Sequence, residues 1–245
     1  LIEATRRVEA GEEVVLATAV RTDGEPPCRP GQKLLLGPDG PLAGTLGCSE
    51  FDASAVDETK GLLAAGEPAL RTFTHDLGSV EVYLEPLRPR PRLVVLGATP
   101  VAEHLLRGGA ELGYATVLVE GRAERITPAH RAAAGRVEAS VADLVLGPGV
   151  DAIHTDHDAP DIVTQLGPLL QGGVRFVGVM GSARHTAPHL EALRKAGCTD
   201  DELAALRTPV GLDLGARTPA EIALSILAGL LAARTGRTGG WLDKR

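Results

Sequence analysis

The feature that most constrains the fold is a strand–helix–strand unit that opens the second part of the chain. Leu93-Val94-Val95-Leu96 is a short, unbroken apolar run ending at Gly97. A strand covered on both faces has this texture, because neither side of it meets water. Val101 to Leu112 has helical spacing, Gly113 ends it, and Thr116-Val117-Leu118-Val119-Glu120 follows as a second strand. A crossover of this size is what two parallel strands require. Ala152 to Thr155 and Val174 to Met180 predict further strands, with a helix near Pro160 to Leu170 between them. Thr199-Asp200-Asp201-Glu202 and Thr218-Pro219-Ala220-Glu221 have the form of capping boxes, in which a Thr hydroxyl and a Glu carboxylate satisfy the free N–H groups of a helix start. Ile222, Ile226, Leu227, Leu230 and Leu231 then form one apolar stripe, and Gly236 is a stop. Residues 92–245 therefore predict a Rossmann-like domain, an open parallel sheet with helices on both faces.

The first part of the chain differs. Glu13 to Arg21 and Lys33 to Leu36 are apolar, strand-like runs. Gly37-Pro38-Asp39-Gly40 is a turn in which Pro sets φ and Gly accepts φ > 0, so Leu42 to Leu46 can return as a hairpin partner. Asp52 to Ala65 has helical spacing, with Ala55, Val56, Leu62 and Leu63 inward. From Ser79 to Leu84, Val80, Val82 and Leu84 alternate as in a half-buried strand. Pro86-Leu87-Arg88-Pro89-Arg90-Pro91-Arg92 alternates proline with other residues and favours an extended spacer. The fold class is α/β: a mixed α/β domain over 1–86, a linker over 87–91 and the Rossmann-like domain over 92–245.

Composition excludes several functions. The 245 residues are 44% hydrophobic and 23% charged, so a core of Leu, Val, Ile and Ala can form. Aromatic residues are 2% and the net charge is −7, which argues against a nucleic-acid partner, since that needs basic grooves and stacking platforms. Three scattered cysteines, Cys28, Cys48 and Cys198, give neither a disulfide framework nor a zinc site. No apolar run spans a bilayer and no signal segment opens the chain, so no membrane association and a cytoplasmic location are expected. A nucleophile elbow, a phosphate-binding P-loop and a His-Glu-x-x-His pair are all absent from the sequence.

The turn after the first Rossmann strand is Gly97-Ala98-Thr99-Pro100-Val101-Ala102. In dinucleotide enzymes the second glycine lets the backbone approach a pyrophosphate, and here Thr99 carries a Cβ at that point. Glu120, about 20 residues on, stands where a ribose-binding acid would. Two readings stay open: a phosphate at the helix N-terminus, or a relic of the fold with no ligand. Asp156-His157-Asp158 contains metal-ligand residue types, but adjacent residues of an extended chain point to opposite faces. Asp158 before Ala159-Pro160 is better explained as a helix N-cap.

Several stretches resemble one family. They are Arg29-Pro30-Gly31-Gln32-Lys33, Gly44-Thr45-Leu46-Gly47-Cys48, Thr155-Asp156-His157-Asp158, Phe176 to Arg184 and Thr208 to Ala223. Together they resemble the xanthine dehydrogenase accessory family of the XdhC and CoxI type. The resemblance implies a dimeric protein that binds molybdenum cofactor and delivers it to a xanthine dehydrogenase or carbon monoxide dehydrogenase-like enzyme, with a sulfur-transfer enzyme as a further partner. It is therefore an accessory protein rather than an enzyme. Relatives carry three glycines before the cysteine, whereas here Gly47 alone precedes Cys48. On this reading Cys48, a soft thiolate ligand, approaches the molybdenum. Arg29, Lys33, Arg184 and Arg217 are candidate anion contacts, since Arg grips phosphate bidentately. Asp213 accepts pterin N–H groups, and Gly97, Glu120 and Ser182 line the sheet end where open parallel sheets place ligands. Each charged residue has a plainer reading as a solvated surface group. The alternative function is an NAD(P)-dependent oxidoreductase using Gly97 and Glu120.

Overall fold

The computed structural model describes residues 1–244, and for residues 183–186 and 244 the backbone alone. The chain divides into two units, Leu1–Pro89 and Arg90–Arg245. In the first unit the elements are α1 (Ile2–Glu9), β1 (Val14–Gly24), β2 (Lys33–Gly37), β3 (Gly40–Gly44), α2 (Ser49–Ala65), β4 (Ala69–His75) and β5 (Gly78–Leu87). The strands form one antiparallel sheet in the order β3-β2-β1-β5-β4. Val15, Ala17, Ala19, Leu34, Leu36, Val80, Val82 and Leu84 lie on one face and pack with Phe51, Ala55, Leu62 and Leu63 of α2. Val14, Leu16 and Leu35 lie on the other face and pack with Ala4 of α1. The Val, Leu and Phe side chains among them contribute roughly 1.5–3 kcal/mol each when fully removed from water, so the alternation fixes the register.

Several boundaries depart from the sequence reading. The helix starts at Ser49, three residues before Asp52, and Val56 is only partly buried while Phe51 and Thr59 are buried. Pro86 and Leu87 close β5 against Val15 and Val14, so the extended proline-rich run begins as strand. α1 and β4 gave no clear sequence signal. β4 is an edge strand whose one buried residue is Phe73, so no alternation marks it.

The second unit contains β6 (Arg92–Leu96), α3 (Pro100–Glu111), β7 (Ala115–Val119), α4 (Pro128–Ala133), β8 (Arg136–Glu138), β9 (Val150–His154), α5 (Ile162–Gln171), β10 (Phe176–Val179), α6 (Ala183–Lys195), α7 (Asp200–Ala205), β11 (Leu206–Arg207) and α8 (Pro219–Thr235). The sheet is parallel throughout, in the order β11-β10-β9-β6-β7-β8. Numbered along this unit, that is the Rossmann order, and the chain reverses direction across the sheet between β6 and β9. β6 feeds two cores. Val94 and Leu96 pack with Ile162, Leu166 and Leu169 of α5, while Leu93 and Val95 pack with Leu105 and Leu106 of α3 and Ile226 and Leu230 of α8. α3 and α8 approach closely at Gly108, where a Cβ would stand 2.6 Å from Leu227 Cδ1. Both capping boxes form as the sequence predicts, and Gly236 ends α8 in the left-handed conformation. The α8 stripe is incomplete, since Leu231 is 42% exposed. The expected cap at Asp158 is not used: α5 begins at Ile162, and Asp161 occupies its N-cap position.

Candidate functional site

In the first unit the chain leaves β3 and turns at Thr45-Leu46-Gly47-Cys48 into α2. Asp52, in the first turn of α2, reaches back and accepts hydrogen bonds from the Leu46 N–H (2.7 Å) and the Thr45 hydroxyl (2.8 Å). Thr45 Oγ1 in turn accepts from the Gly47 N–H at 2.9 Å. Gly47 has φ +112°, and a Cβ there would overlap the Pro27 carbonyl oxygen and stand 3.0 Å from Cys28 Cα. Only glycine fits such a close approach in that conformation. The loop is thereby held in one shape, and it places Cys48, partly exposed, at the N-cap of α2 with no side chain capping the free N–H groups. Glu50, also in the first turn, faces His75 at 3.8 Å. Asp52 and Thr45 were missed by the sequence reading, although a carboxylate one turn into a helix after a glycine-rich loop is a signal for such a tether.

The other two candidates of this unit stand apart in role. Arg29 is exposed, and among the described residues its side chain has no hydrogen bond or ion pair, while its N–H donates to Gln32 Oε1. Lys33 Nζ donates to Thr18 Oγ1 across the β1–β2 pair at 2.8 Å, so it braces the sheet.

In the second unit Gly97, Glu120 and Ser182 follow the carboxyl ends of the parallel strands β6, β7 and β10, while Asp213 and Arg217 lie further along, between β11 and α8. Gly97, at φ +88°, lies against the β9 end, where a Cβ would meet Asp156 Cβ at 2.9 Å and Thr155 Oγ1 at 3.3 Å. Thr155 Oγ1 donates to the Leu96 and Gly97 carbonyls, within 3.0 Å of each, and its oxygen lies 2.9 Å from Thr99 Oγ1. Thr99 is the N-cap of α3 and accepts from the Ala102 N–H, and its own carbonyl meets His130 Nε2 at 2.8 Å.

Glu120 is buried and fully engaged. Oε2 accepts from the Ala98 N–H at 3.1 Å, and Oε1 accepts from the Arg122 N–H and Nε–H. Arg122 also donates to Asp156 (3.0 Å), as does Arg125 (2.5 Å). Burial, the largest single influence, would raise both carboxyl groups, but the arginine hydrogen bonds and charges, joined at Glu120 by the Ala98 and Arg122 N–H groups, together outweigh it and hold Glu120 and Asp156 below the usual carboxylate range. The Asp156-His157-Asp158 trio does not converge, because Asp156 is spent on the two arginines and Asp158 is exposed.

Ser182 is the N-cap residue of α6. The Arg184 side chain lies outside the described residues. Asp213 and Arg217 are exposed on the loop from β11 to α8, and the Arg217 N–H donates to Glu221 Oε2. Thr208 Oγ1, at the start of that loop, is buried with no hydrogen-bond partner among the described residues.

The second unit is a Rossmann-type domain whose turn is closed by its own side chains, preceded by a small antiparallel domain that presents a thiol at a helix start. The XdhC Rossmann domain matches residues 93–230, and the XdhC and CoxI family matches residues 7–74. The chain belongs to the XdhC and CoxI family. It is 27% identical to the uncharacterized protein YqeB of Escherichia coli over 99% of this chain and 47% of the relative. It is 24% identical to a probable xanthine dehydrogenase subunit of Bacillus subtilis over 64% of this chain and 47% of the relative. It thus spans about half the length of these curated relatives. A solved structure described as a xanthine dehydrogenase from Bacillus halodurans superposes with TM-score 0.53 at 17% identity, covering 97% of this chain and 96% of that one. At that identity the likeness is one of fold.

Proposed function

We propose that this protein is an accessory factor in xanthine dehydrogenase maturation, one that binds molybdenum cofactor, protects it and delivers it to a xanthine dehydrogenase or carbon monoxide dehydrogenase-like enzyme without turning over a substrate. The observation that carries this reading is the loop that fixes Cys48 at the uncapped start of α2. The cofactor is a phosphate-bearing pterin whose metal accepts thiolate ligands, and the donors present fit it. Cys48 offers the soft ligand, the free N–H groups of α2 favour an anion, and Arg29 has its guanidinium free among the described residues. When bound, the group would supply the metal centre that the target enzyme uses.

Purified protein should retain the cofactor through anaerobic gel filtration, with pterin fluorescence and molybdenum in the protein peak. Cys48→Ser should lower that retention severalfold, and Cys198→Ser, at a buried site beside α7, should not. Elution of pterin and metal wholly apart from the protein sinks this reading. The same reading carries a homodimer and a sulfur-transfer partner, and light scattering at twice the chain mass across a dilution series checks the first. The dinucleotide alternative is weaker, because Glu120 and the turn amide of Ala98 already satisfy each other.

A further inference from the structure

Two of the three cysteines flank the point where the loops before β2 and α2 touch. A Cβ on Gly47 would stand 3.0 Å from Cys28 Cα, and Cys48 is the next residue. Consecutive Cα atoms are about 3.8 Å apart, so the two cysteine Cα atoms are at most about 8 Å apart. Cys48 packs against the core cluster that contains Cys28. Disulfides span roughly 4.4–6.8 Å between Cα atoms, so closure needs at most a small backbone shift. Cys198 lies in the other unit, in the core beneath α5 to α7, and has no such neighbour.

The two thiols are unequal. Cys28 is buried and its Sγ points to the Arg29 carbonyl at 3.9 Å. Cys48 is partly exposed at a helix start. An oxidant therefore meets Cys48 first.

We propose that Cys28 and Cys48 form a redox-active dithiol that closes to an intramolecular disulfide under peroxide-class oxidants. The Cys48 thiolate attacks one peroxide oxygen, the O–O bond breaks, and hydroxide leaves Cys48 as a sulfenic acid. Cys28 sulfur then attacks Cys48 sulfur, the S–O bond breaks, and the departing hydroxide leaves as water with the Cys28 proton. Two thiols and one hydrogen peroxide yield one disulfide and two waters. Small thiols reverse it by exchange. The pair stands on geometry alone, independently of any cofactor.

The test is a thiol count on the full chain in denaturant, before and after hydrogen peroxide, with peptide mapping. The reduced chain should show three thiols. The oxidised chain should show one, at Cys198, a mass lower by two hydrogens and a joined Cys28–Cys48 peptide, and dithiothreitol should restore all three. Cys28→Ser should leave a sulfenic acid on Cys48 that dimedone captures, and Cys48→Ser should leave Cys28 a thiol. Three surviving thiols, a Cys48 sulfinic acid beside an intact Cys28, or a bridge between two chains would overturn the proposal. If Cys28→Ser fails to fold, the parent map and Cys48→Ser decide the matter.

Discussion

His154 ends β9 with both ring nitrogens occupied: Nδ1 accepts from the Asp156 N–H at 3.3 Å, and Nε2 lies 3.0 Å from Gln165 Oε1. Burial lowers its pKa from 6.5 to about 4, so the folded protein keeps it neutral. The unfolded chain binds that proton at higher pH, so stability falls as pH drops from 6.5 toward about 4. The slope is at most about 1.4 kcal/mol per pH unit for one group. Glu120 and Asp156, held low in the folded protein, add a loss that begins as pH falls below their ordinary values of 4.5 and 3.8 and is complete at their depressed folded values. Urea unfolding across a pH series should show the upper part of this slope, and His154→Asn should flatten it. An unchanged slope in the variant would assign it elsewhere. Glu120→Gln should cost about 2 kcal/mol, because it weakens a buried acceptor for the Ala98 N–H and Arg122. The denaturation midpoint measures it.

At the scale of elements, two glycines with similar backbone angles should answer differently to the same change. Gly31 (φ +93°) has nothing within 4 Å of a new Cβ, whereas at Gly47 the Pro27 carbonyl blocks it. Gly31→Ala should cost about 1 kcal/mol from strain alone. Gly47→Ala should cost about 2 kcal/mol more, with loss of cofactor retention if the Cys48 loop carries it. Equal melting temperatures for the two variants would mean that the loop relaxes freely. Elements with a strong periodic signal were legible in the sequence: β6, β7, α3 and the two boxed helices follow from hydrophobic spacing and capping chemistry. α1 is short with one buried residue, and β4 shows its side chains mainly to solvent, so neither left a pattern. Of the candidate site, Gly97 could be picked out because a turn follows its strand there, and Cys48 only through the family resemblance. The arginine clasp around Asp156 joins residues far apart in the chain, and no local spacing announces it, whereas the Asp52 tether is local and is signalled only by a carboxylate one turn into the helix.

For the whole molecule, the parallel order of the second unit would ordinarily suggest a dinucleotide site at the reversal between β6 and β9. Here the N–H groups that would receive a pyrophosphate are bonded to Glu120 and Thr99. Calorimetric titration with NADH and NADPH should therefore show no binding below millimolar concentration. Thr99→Gly with Ala102→Gly should not create it, since the carboxylate clasp remains. Micromolar affinity in the parent would reinstate the oxidoreductase reading. Among the described residues no helix is long and apolar enough to cross a membrane.

The clasp of Glu120, Arg122, Arg125 and Asp156 also bears on how such a domain can change its trade over generations. Restoring the glycines takes two substitutions, yet a nucleotide would still have to displace an internal counter-ion set. Removing one carboxylate weakens the hold on Arg122 and Arg125, which bridge Glu120 and Asp156. A variant cleared for a nucleotide should therefore lose folding stability before it gains a site.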